Sequence, residues 1–360
     1  MNKKKEKILV AMSGGVDSAV SATLLVEQGY EVTGVYMRQW SDQEKIKGVC
    51  TWKEDRREAM RVAAFLGIKF LTFNFEKEYK KWVVDYLFNE YKKGNTPNPD
   101  VLCNKFIKFG FWLNKAKELG SDYLATGHYA SISFKNGEYF LGKAKDEDKD
   151  QTYFLHQLNQ DQLKHTLFPL GKLTKKEVRK IAQKKELPNA NREESMGICF
   201  VGEVSIGDFL AQKIKPKKGK IILSDGTQIG EHNGLHKYTL GQRQLGVDIK
   251  ARSKKSTAMY VVAKNLIKNE LVVGERENPL LYKKEINVID TSWVSGHDPK
   301  FPLNCEIRLR HRQVLQKCIV KKDKNNNIIV YFLEKQWALS PGQFAVFYKK
   351  NICLGGGEIK

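Results

Sequence analysis

The N-terminal third of the chain alternates between strand-like and helix-like segments, and this order constrains the fold more than any other feature. "KILVAM" is a continuous apolar run, as expected for a strand buried on both faces. The next segment, "DSAVSATLLVEQG", has apolar residues at helical spacing and stops at Gly29. "EVTGVYM", "KEDRREAMRVAAFLG" and "KFLTFNF" repeat the order of strand, helix and strand. The repeat predicts an α/β fold with a parallel, doubly wound sheet.

The pattern changes in the second half of the chain. Short runs such as "GKIILSDGTQIG", "AMYVVAKN" and "INVIDTSWV" alternate apolar and polar residues and are separated by turn residues. A hairpin is expected near "DKNNN". We therefore predict three domains: an α/β domain at 1–205, a small β-rich middle domain at 206–280, and an antiparallel, barrel-like β domain at 281–360.

The charge balance points to a polyanionic partner. Lys and Arg number 62 against 41 Asp and Glu, which leaves a net charge of +21. An excess of this size favours nucleic acid as a partner. No apolar stretch approaches the roughly 20 residues that span a bilayer, and the apolar run after the first lysines is too short for a signal peptide. We therefore expect a cytoplasmic protein with no membrane partner.

The six cysteines include no C-x-x-C pair, which argues against a zinc ribbon. A chain of 360 residues with so few cysteines and no predicted secretion signal is also not expected to be a disulfide scaffold. Cys103 follows a Pro-rich break and precedes a helix, a setting that can lower a thiol pKa. Cys199 lies in "SMGICFVG", between predicted domains. The cysteines inside strand-like runs, Cys305, Cys318 and Cys353, are expected to be inert buried residues.

The corner between the first strand and the first helix, "SGGVDS", predicts an anion site. Backbone N–H groups exposed by glycine and the positive end of a helix dipole both favour phosphate there. Ser13 and Ser18 can add hydroxyl donors, and Asp17 either holds a metal ion or caps the helix. The alternative is an ordinary glycine turn with Asp17 as the cap. The segment is neither a G-K-[ST] P-loop nor a G-x-G-x-x-G fingerprint.

"SGGVDS" resembles the PP-loop of the ATP pyrophosphatase superfamily, which cleaves ATP to AMP and pyrophosphate. Further segments are similar to the tRNA-specific 2-thiouridylase family, in the same order from residue 8 to the C-terminus. They are "NTPNPDVLCNKFIKF", "ATGHYA", "KDQTYFL", "SMGICFVG", "HKYTLGQR", "LRHRQ" and "PGQFAVFY…CLGGG". The chain departs from the family at "GQRQLGV", where one more residue is expected, and this affects the loop geometry of the middle domain.

The resemblance implies a Rossmann-like fold of the adenine nucleotide alpha hydrolase type and a two-step reaction. ATP, bound with Mg²⁺, would adenylate the C2 oxygen of the wobble uridine in tRNAs of the Lys, Glu and Gln type. A persulfide on Cys199 would then deliver sulfur with Cys103 as partner thiol, leaving a transient Cys103–Cys199 disulfide. The sulfur donor would be a cysteine desulfurase or a sulfur-carrier protein. Asp100 would be a general acid or base, or alternatively the N-cap of the helix that carries Cys103.

The family also implies two sets of binding residues. The ATP site would comprise Ala11, Met12, Ser13, Gly14, Gly15, Val16, Asp17, Ser18, Met37 and Gly127, with no metal held by the protein alone. The tRNA site would comprise Asn98, Pro99, Asp100, His128, Lys149, Asp150, Gln151, Arg310, His311 and Gln343. His128 could instead be a structural histidine.

From the residues themselves, "RLRHR" read as a strand would place Arg308, Arg310 and Arg312 on one face. Such a face suits a phosphate backbone, although an ordinary solvated face is the alternative.

Three other functions compete with tRNA 2-thiolation. A PP-loop amidotransferase or ligase would use ammonia or an amine and would not need Cys103 or Cys199. A 4-thiouridine or 2-thiocytidine enzyme would share the adenylation step, but the chain has no C-x-x-C for an iron–sulfur cluster and no rhodanese-like domain. A non-catalytic RNA-binding module would bind tRNA without adenylating it.

Overall fold

The computed structural model describes residues 5–39, 52–193, 206–211, 213–246 and 258–360. The strands of these ranges are β1 (Lys7–Ala11), β2 (Glu31–Arg38), β3 (Lys69–Asn74), β4 (Tyr123–Ala125), β5 (Ser131–Lys135), β6 (Glu138–Gly142), β7 (Thr166–Leu167), β8 (Gly219–Leu223), β9 (Gln228–His232), β10 (Tyr260–Asn265), β11 (Glu270–Gly274), β12 (Tyr282–Trp293), β13 (Leu303–Arg308), β14 (Gln316–Lys322), β15 (Ile328–Trp337), β16 (Phe344–Lys349) and β17 (Ile352–Ile359).

Two of the helical segments contain a π-helical part. α3 comprises Glu76–Tyr79, the π-helical Lys80–Val84 and Asp85–Lys92, and α4 comprises Pro99–Leu102, the π-helical Cys103–Trp112 and Leu113–Glu118. The other helices are α1 (Val16–Glu27), α2 (Trp52–Phe65), α5 (Thr152–Leu155), α6 (Gln160–Lys164), α7 (Lys175–Lys184) and α8 (Ile206–Ala211). Single 3₁₀ turns occur at Leu235–Lys237 and Pro279–Leu281.

The N-terminal sheet is parallel, with strand order β3-β2-β1-β4-β7, which confirms the predicted fold class. β1 is apolar from Ile8 to Ala11 because this part of the strand separates two cores. Leu9 packs into one of these cores, whereas Ile8 and Val10 pack into the other, on the opposite face. α1 ends at Glu27, two residues before the predicted stop at Gly29, whose positive φ of 86° is the left-handed conformation that closes a helix.

The middle and C-terminal domains are built from β-sheets, as expected. The middle sheet has strand order β10-β11-β8-β9. β12, β15, β14, β13, β16 and β17 follow one another around the C-terminal sheet, and β17 pairs back with β12, so the six strands close a barrel. β14 and β15 form the hairpin predicted near "DKNNN", where Asp323 accepts hydrogen bonds from the backbone N–H groups of Asn325 and Asn327.

The α/β domain is joined to the barrel through a shared sheet and a buried ion pair. The hairpin of β5 and β6 extends the C-terminal sheet, because Gly142 and Leu141 of β6 pair with Ile352 and Cys353 of β17. The Arg308 guanidinium donates to the Asp150 carboxylate at 2.9 Å, with side chains 10% and 0% exposed. These contacts hold the barrel against the edge of the first domain. The predicted domain limits stay predictions.

One strand prediction is wrong. β13 ends at Arg308, and the chain then turns, with the Gln313 N–H bonded to the Arg310 carbonyl. Arg312 has a positive φ of 62° in this turn. Arg308, Arg310 and Arg312 therefore do not share a strand face.

The buried His156 makes the fold sensitive to acid. Its Nδ1 donates to the Tyr153 carbonyl at 2.8 Å, while burial lowers its pKa from 6.5 to about 4. Between pH 6.5 and 4, His156 is therefore protonated in the unfolded chain but neutral in the folded chain. The free energy of unfolding falls as the pH is lowered through this range. We expect this histidine to account for about 3 kcal/mol of that loss.

Urea unfolding at several pH values tests this expectation. The variant His156→Leu should have a shallower pH dependence over this window than the unsubstituted protein. The exposed His297 provides the matched control, and His297→Gln should leave the pH dependence as it is. An equal slope in His156→Leu and the unsubstituted protein would contradict the assignment.

Candidate active site

The phosphate loop, defined as residues 13–18, connects β1 to α1 at the carboxyl edge of the parallel sheet. Gly14 has a positive φ of 83°, and a Cβ there would lie 2.4 Å from the Asp55 carbonyl oxygen, so a side chain is excluded. Gly15 is the N-cap of α1 and has no side chain to cover the free N–H groups. The Ser18 hydroxyl accepts from the Ser13 N–H at 3.2 Å and donates to the Gly15 carbonyl at 2.9 Å. The loop thus has the open helix start that an anion site requires.

Asp17 is an ion-pair partner and not the helix cap. It lies inside the first turn of α1, and its Oδ1 accepts from the Lys175 ammonium at 2.7 Å and from the Tyr129 hydroxyl at 2.9 Å. Lys175 is the first residue of α7. The predicted capping box of Thr174 and Glu177 forms at this helix start and fixes where Lys175 lies.

Two further side chains hold the loop from the C-terminal side of α7. Asn189 Nδ2 and an Arg192 guanidinium nitrogen donate to the Gly14 carbonyl at 2.8 and 3.1 Å. Arg192 also pairs with Asp55. The sequence analysis missed Lys175, Asn189 and Arg192, because each lies more than 150 positions from the loop it contacts. The capping box of Thr174 and Glu177 was the local signal in this region. It predicted the start of α7 but did not indicate that this helix packs against the phosphate loop.

The other residues predicted for ATP surround the same loop. A Cβ on Gly127 would lie 3.0 Å from the backbone of Asp17 and Ser18, so Gly127 allows the chain after β4 to approach the start of α1. Met12, Val16 and Met37 are buried in the cores beside the loop, and Ala11 ends β1. Contacts of these four residues with a nucleotide would therefore be largely through the backbone.

A second cluster lies at the start of α4. Asn98 is the N-cap and Pro99 the first helical residue, so the expectation that Asp100 is the N-cap is wrong. Burial raises the pKa of the Asp100 carboxyl, and the charge of Lys108 opposes that rise. Cys103 follows one turn later and is 3% exposed. A carboxyl that keeps its proton above the usual pH range is suited to general acid chemistry beside a thiol.

His128 lies between the two clusters. Its ring nitrogens contact the Thr126 hydroxyl at 2.7 Å and the Lys108 ammonium at 3.4 Å. Burial, followed by the charge of Lys108, lowers its pKa well below 6.5, so the imidazole is neutral and accepts from Lys108. These contacts give His128 a structural role, and its contact with tRNA stays a prediction. His128 follows Gly127, and this short segment links the phosphate loop to α4.

Cys199 lies outside the described residues, as does the transient disulfide predicted between Cys199 and Cys103.

The described residues contain no group of three or more His, Cys, Asp or Glu side chains that could hold a metal ion. The described ranges also contain no helix long and apolar enough to cross a membrane.

Asp150 and Gln151 of "KDQ" make contacts inside the protein. Gln151 Oε1 accepts from the Tyr129 N–H at 2.9 Å, and the Tyr129 hydroxyl in turn contacts Asp17. Asp150 is 1% exposed and binds Arg308, while Lys149 is partly exposed. Asp150 and Gln151 thus support the interdomain contact and the phosphate loop. Their predicted contact with tRNA, like that of Lys149, stays a prediction.

All three predicted domains meet immediately before α4. Gln343 Nε2 of the barrel donates to the Thr96 carbonyl at 2.7 Å, and the Thr96 N–H donates to the Pro341 carbonyl at 2.8 Å. The Thr96 hydroxyl also contacts the Thr239 hydroxyl of the middle domain at 3.2 Å. Gln343 therefore anchors the segment that leads into Asn98, Pro99 and Asp100.

Arg310 and His311 lie in the turn after β13. Arg310 donates to the Ala338 carbonyl and lies 5.9 Å from the Trp337 ring centroid. The His311 ring lies 4.5 Å from the Phe154 ring, and burial lowers the His311 pKa to about 4. The two side chains are held against different neighbours, and their predicted role at tRNA stays a prediction.

Three family models match consecutive parts of the chain. The tRNA methyl transferase HUP domain matches residues 6–203, and the tRNA methyl transferase PRC-barrel domain matches residues 207–275. The aminomethyltransferase beta-barrel domain matches residues 283–359. These ranges follow the three sheets of the structure, except that the hairpin of β5 and β6 lies in the first range and extends the C-terminal sheet.

Curated relatives match the chain over its full length. A protein of Halalkalibacterium halodurans named tRNA-specific 2-thiouridylase MnmA is 45% identical, over 99% of this chain and 95% of the relative. One of the same name from Alkaliphilus oremlandii is 46% identical, over 99% of this chain and 97% of the relative. A solved 4-thiouridine synthetase–RNA complex with bound ATP aligns with 57% of this chain and 50% of its own at a TM-score of 0.36 and 17% identity.

Proposed function

The chain belongs to the tRNA-specific 2-thiouridylase family, and from this premise we propose that it is the sulfurtransferase that converts the wobble uridine of tRNA to 2-thiouridine using ATP. The observation that carries the proposal is the full-length match to relatives of that name, combined with a phosphate loop at the sheet edge. The Cys103 thiol, 3% exposed, and the Asp100 carboxyl lie one turn apart on α4, which the Gly127–His128 segment links to the loop. The proposed substrates are tRNAs of the Lys, Glu and Gln type in the cytoplasm.

The first proposed step is adenylation of the C2 oxygen. The uridine oxygen attacks the α-phosphorus of ATP, pyrophosphate leaves, and the C2 oxygen becomes part of a good leaving group. The free N–H groups at the start of α1 would bind the phosphates, and Lys175 would supply a positive charge beside them. Mg²⁺ bound with ATP would offset phosphate charge, and Asp17 is the carboxylate of the loop that could approach it.

The second proposed step is sulfur transfer. The outer sulfur of a Cys199 persulfide bonds to C2. The Cys103 thiolate then attacks the inner sulfur and breaks the S–S bond of the persulfide, which leaves the outer sulfur on C2 and forms a Cys103–Cys199 disulfide. The C2 oxygen departs with AMP, and Asp100 would act as acid or base for this departure. A cysteine desulfurase or a sulfur-carrier protein would reload Cys199 after the disulfide is reduced.

The proposed tRNA site includes 98–100 at the target base, 149–151, Arg310, His311 and Gln343. The net charge of +21 supports binding of a polyanion. The wobble base must leave the anticodon stack to expose C2, and the three-domain junction before α4 is the part of the described structure where such a base would meet Asp100 and Cys103.

The direct test is to incubate the protein with ATP, Mg²⁺, a persulfide donor and mixed tRNA, and to analyse the digested nucleosides by mass spectrometry. The expected product is 2-thiouridine at the wobble position, formed only when ATP is present. Sulfur at C4 or on cytidine would contradict the proposal. A methylated nucleoside formed with a methyl donor would instead favour the activity named in the family-model descriptions.

The ion pair between Lys175 and Asp17 gives a prediction for ATP binding. Lys175→Met leaves the Asp17 carboxylate beside the phosphates without its cation, so ATP affinity should fall about 10- to 100-fold, the cost of a charge-assisted hydrogen bond. Isothermal titration with ATP and Mg²⁺ in the absence of tRNA measures this directly. The adjacent, exposed Lys176 is the matched control, and Lys176→Met should bind as the unsubstituted protein does. Equal affinities in the two variants would exclude Lys175 from the site.

A further inference from the structure

Two cysteines of the C-terminal barrel lie directly opposite each other. Cys305 on β13 pairs in register with Cys318 on β14, and their sulfur atoms are 3.6 Å apart. The sequence analysis expected both residues to be inert, because they lie in separate strand-like runs and their spacing does not reveal how the strands pair. The structure makes them neighbours in the same core.

The geometry of this pair fits a disulfide. Facing residues of antiparallel strands have Cβ atoms about 4.5–5.5 Å apart. A disulfide requires a Cβ–Cβ distance of roughly 3.5–4.5 Å, so the short end of the first range meets the long end of the second. The sulfur atoms must close from 3.6 Å to about 2 Å, a movement that side-chain rotation can supply. Of the other cysteines in the described ranges, Cys103 and Cys353 pack into a different core cluster. Cys305 and Cys318 are therefore each other's nearest candidate partner in the part of the chain that is described.

We propose that Cys305 and Cys318 form a reversible disulfide, a modification site separate from the thiols of the proposed sulfur transfer. The bond would close the loop between β13 and β14, which carries Arg310 and His311 and begins at the buried Arg308. It would tie the base of this loop three residues before Arg308, which forms the ion pair with Asp150. Formation of the bond does not depend on the proposed activity.

The oxidant is a low-molecular-weight disulfide. The Cys305 thiolate attacks one of its sulfur atoms, which forms a mixed disulfide and releases one thiolate. The Cys318 thiolate then attacks the Cys305 sulfur and releases the second thiolate, so two protein thiols are oxidised and one reagent disulfide is reduced to two thiols. Cys305 reacts first because it is partly exposed, whereas Cys318 is 2% exposed. The hydrogen bond with Cys305, together with burial, raises the pKa of the Cys318 thiol, which makes Cys318 the poorer first nucleophile of the two.

The test uses the full chain and oxidised glutathione as the probe. After incubation, free thiols are blocked by alkylation and a non-reducing digest is analysed by mass spectrometry. The expected result is a linked peptide pair containing Cys305 and Cys318, which disappears on reduction. The same pair should form in the double variant Cys103→Ser/Cys199→Ser, where the other predicted disulfide cannot form. Alkylation of both Cys305 and Cys318 after oxidation would overturn the proposal.

Single variants separate the first attack by Cys305 from the resolving step by Cys318. Cys318→Ser should keep glutathione on Cys305 as a stable mixed disulfide, because the resolving thiol is gone. Cys305→Ser should leave Cys318 without glutathione. Cys353→Ser is the matched control and should retain the linked peptide pair. A stable mixed disulfide on Cys305 of the unsubstituted chain would show that Cys318 does not resolve it, which would also overturn the proposal.

Discussion

Replacement of Cys103 by serine should reduce 2-thiouridine formation by at least about 10³-fold, because a hydroxyl cannot exchange with a persulfide. Release of pyrophosphate from ATP in the presence of tRNA should continue, since the phosphate loop does not contain Cys103. Serine is nearly the same size as cysteine, and the site on α4 is buried but lies at the end of its first turn. Parallel assays of pyrophosphate and of 2-thiouridine measure the two half-reactions separately.

The matched control for this variant is Cys305→Ser, which changes a partly exposed thiol outside the proposed reaction. It should form 2-thiouridine at the rate of the unsubstituted protein. Full thiolation by Cys103→Ser would remove Cys103 from the mechanism. If Cys103→Ser loses both pyrophosphate release and thiolation, the substitution disrupts the fold or ATP binding and does not act on sulfur transfer alone.

Sequence patterns predicted those parts of the fold that depend on interactions between residues close together in the chain. The apolar run of β1, the glycine that ends α1 and the capping box of α7 each depend on residues within one or two turns of each other, and all three are present. The phosphate loop belongs to the same class, because its glycines are required by backbone geometry at the end of β1.

Long-range partners could not be predicted in the same way. The partner of Asp17 is Lys175, 158 positions away, and nothing in the sequence around either residue indicates the other. The alternation in "RLRHR" is compatible with a strand, yet the chain turns after Arg308. The missed Asp17–Lys175 pair and the wrong strand prediction for "RLRHR" have the same cause. In each case the local structure depends on a segment that is distant in the sequence.

Removal of one partner from the ion pair between Asp150 and Arg308 should strongly destabilise the protein, because the other charge is left buried between the α/β domain and the barrel. The Asp150 side chain has no exposed surface, and its carboxylate also accepts from the Thr152 hydroxyl at 2.8 Å. Asp150→Ala would leave the Arg308 guanidinium buried without its counter-charge. Breaking such a pair costs about 3–5 kcal/mol in the free energy of unfolding. Urea unfolding should show this loss, whereas Asp298→Asn, which removes an exposed ion pair with Lys322, should cost no more than about 1 kcal/mol.

A second variant separates this structural role from the predicted contact of Asp150 with tRNA. Asp150→Ala/Arg308→Met removes both charges and should recover part of the lost stability, because no buried charge is left unpaired. If Asp150 acts on tRNA only by holding the barrel in place, tRNA affinity should recover together with stability in the double variant. If the carboxylate contacts tRNA directly, affinity should stay low while stability recovers. An Asp150→Ala variant as stable as the unsubstituted protein would contradict the structural role, because a carboxylate that binds a guanidinium inside the interface cannot be removed without cost.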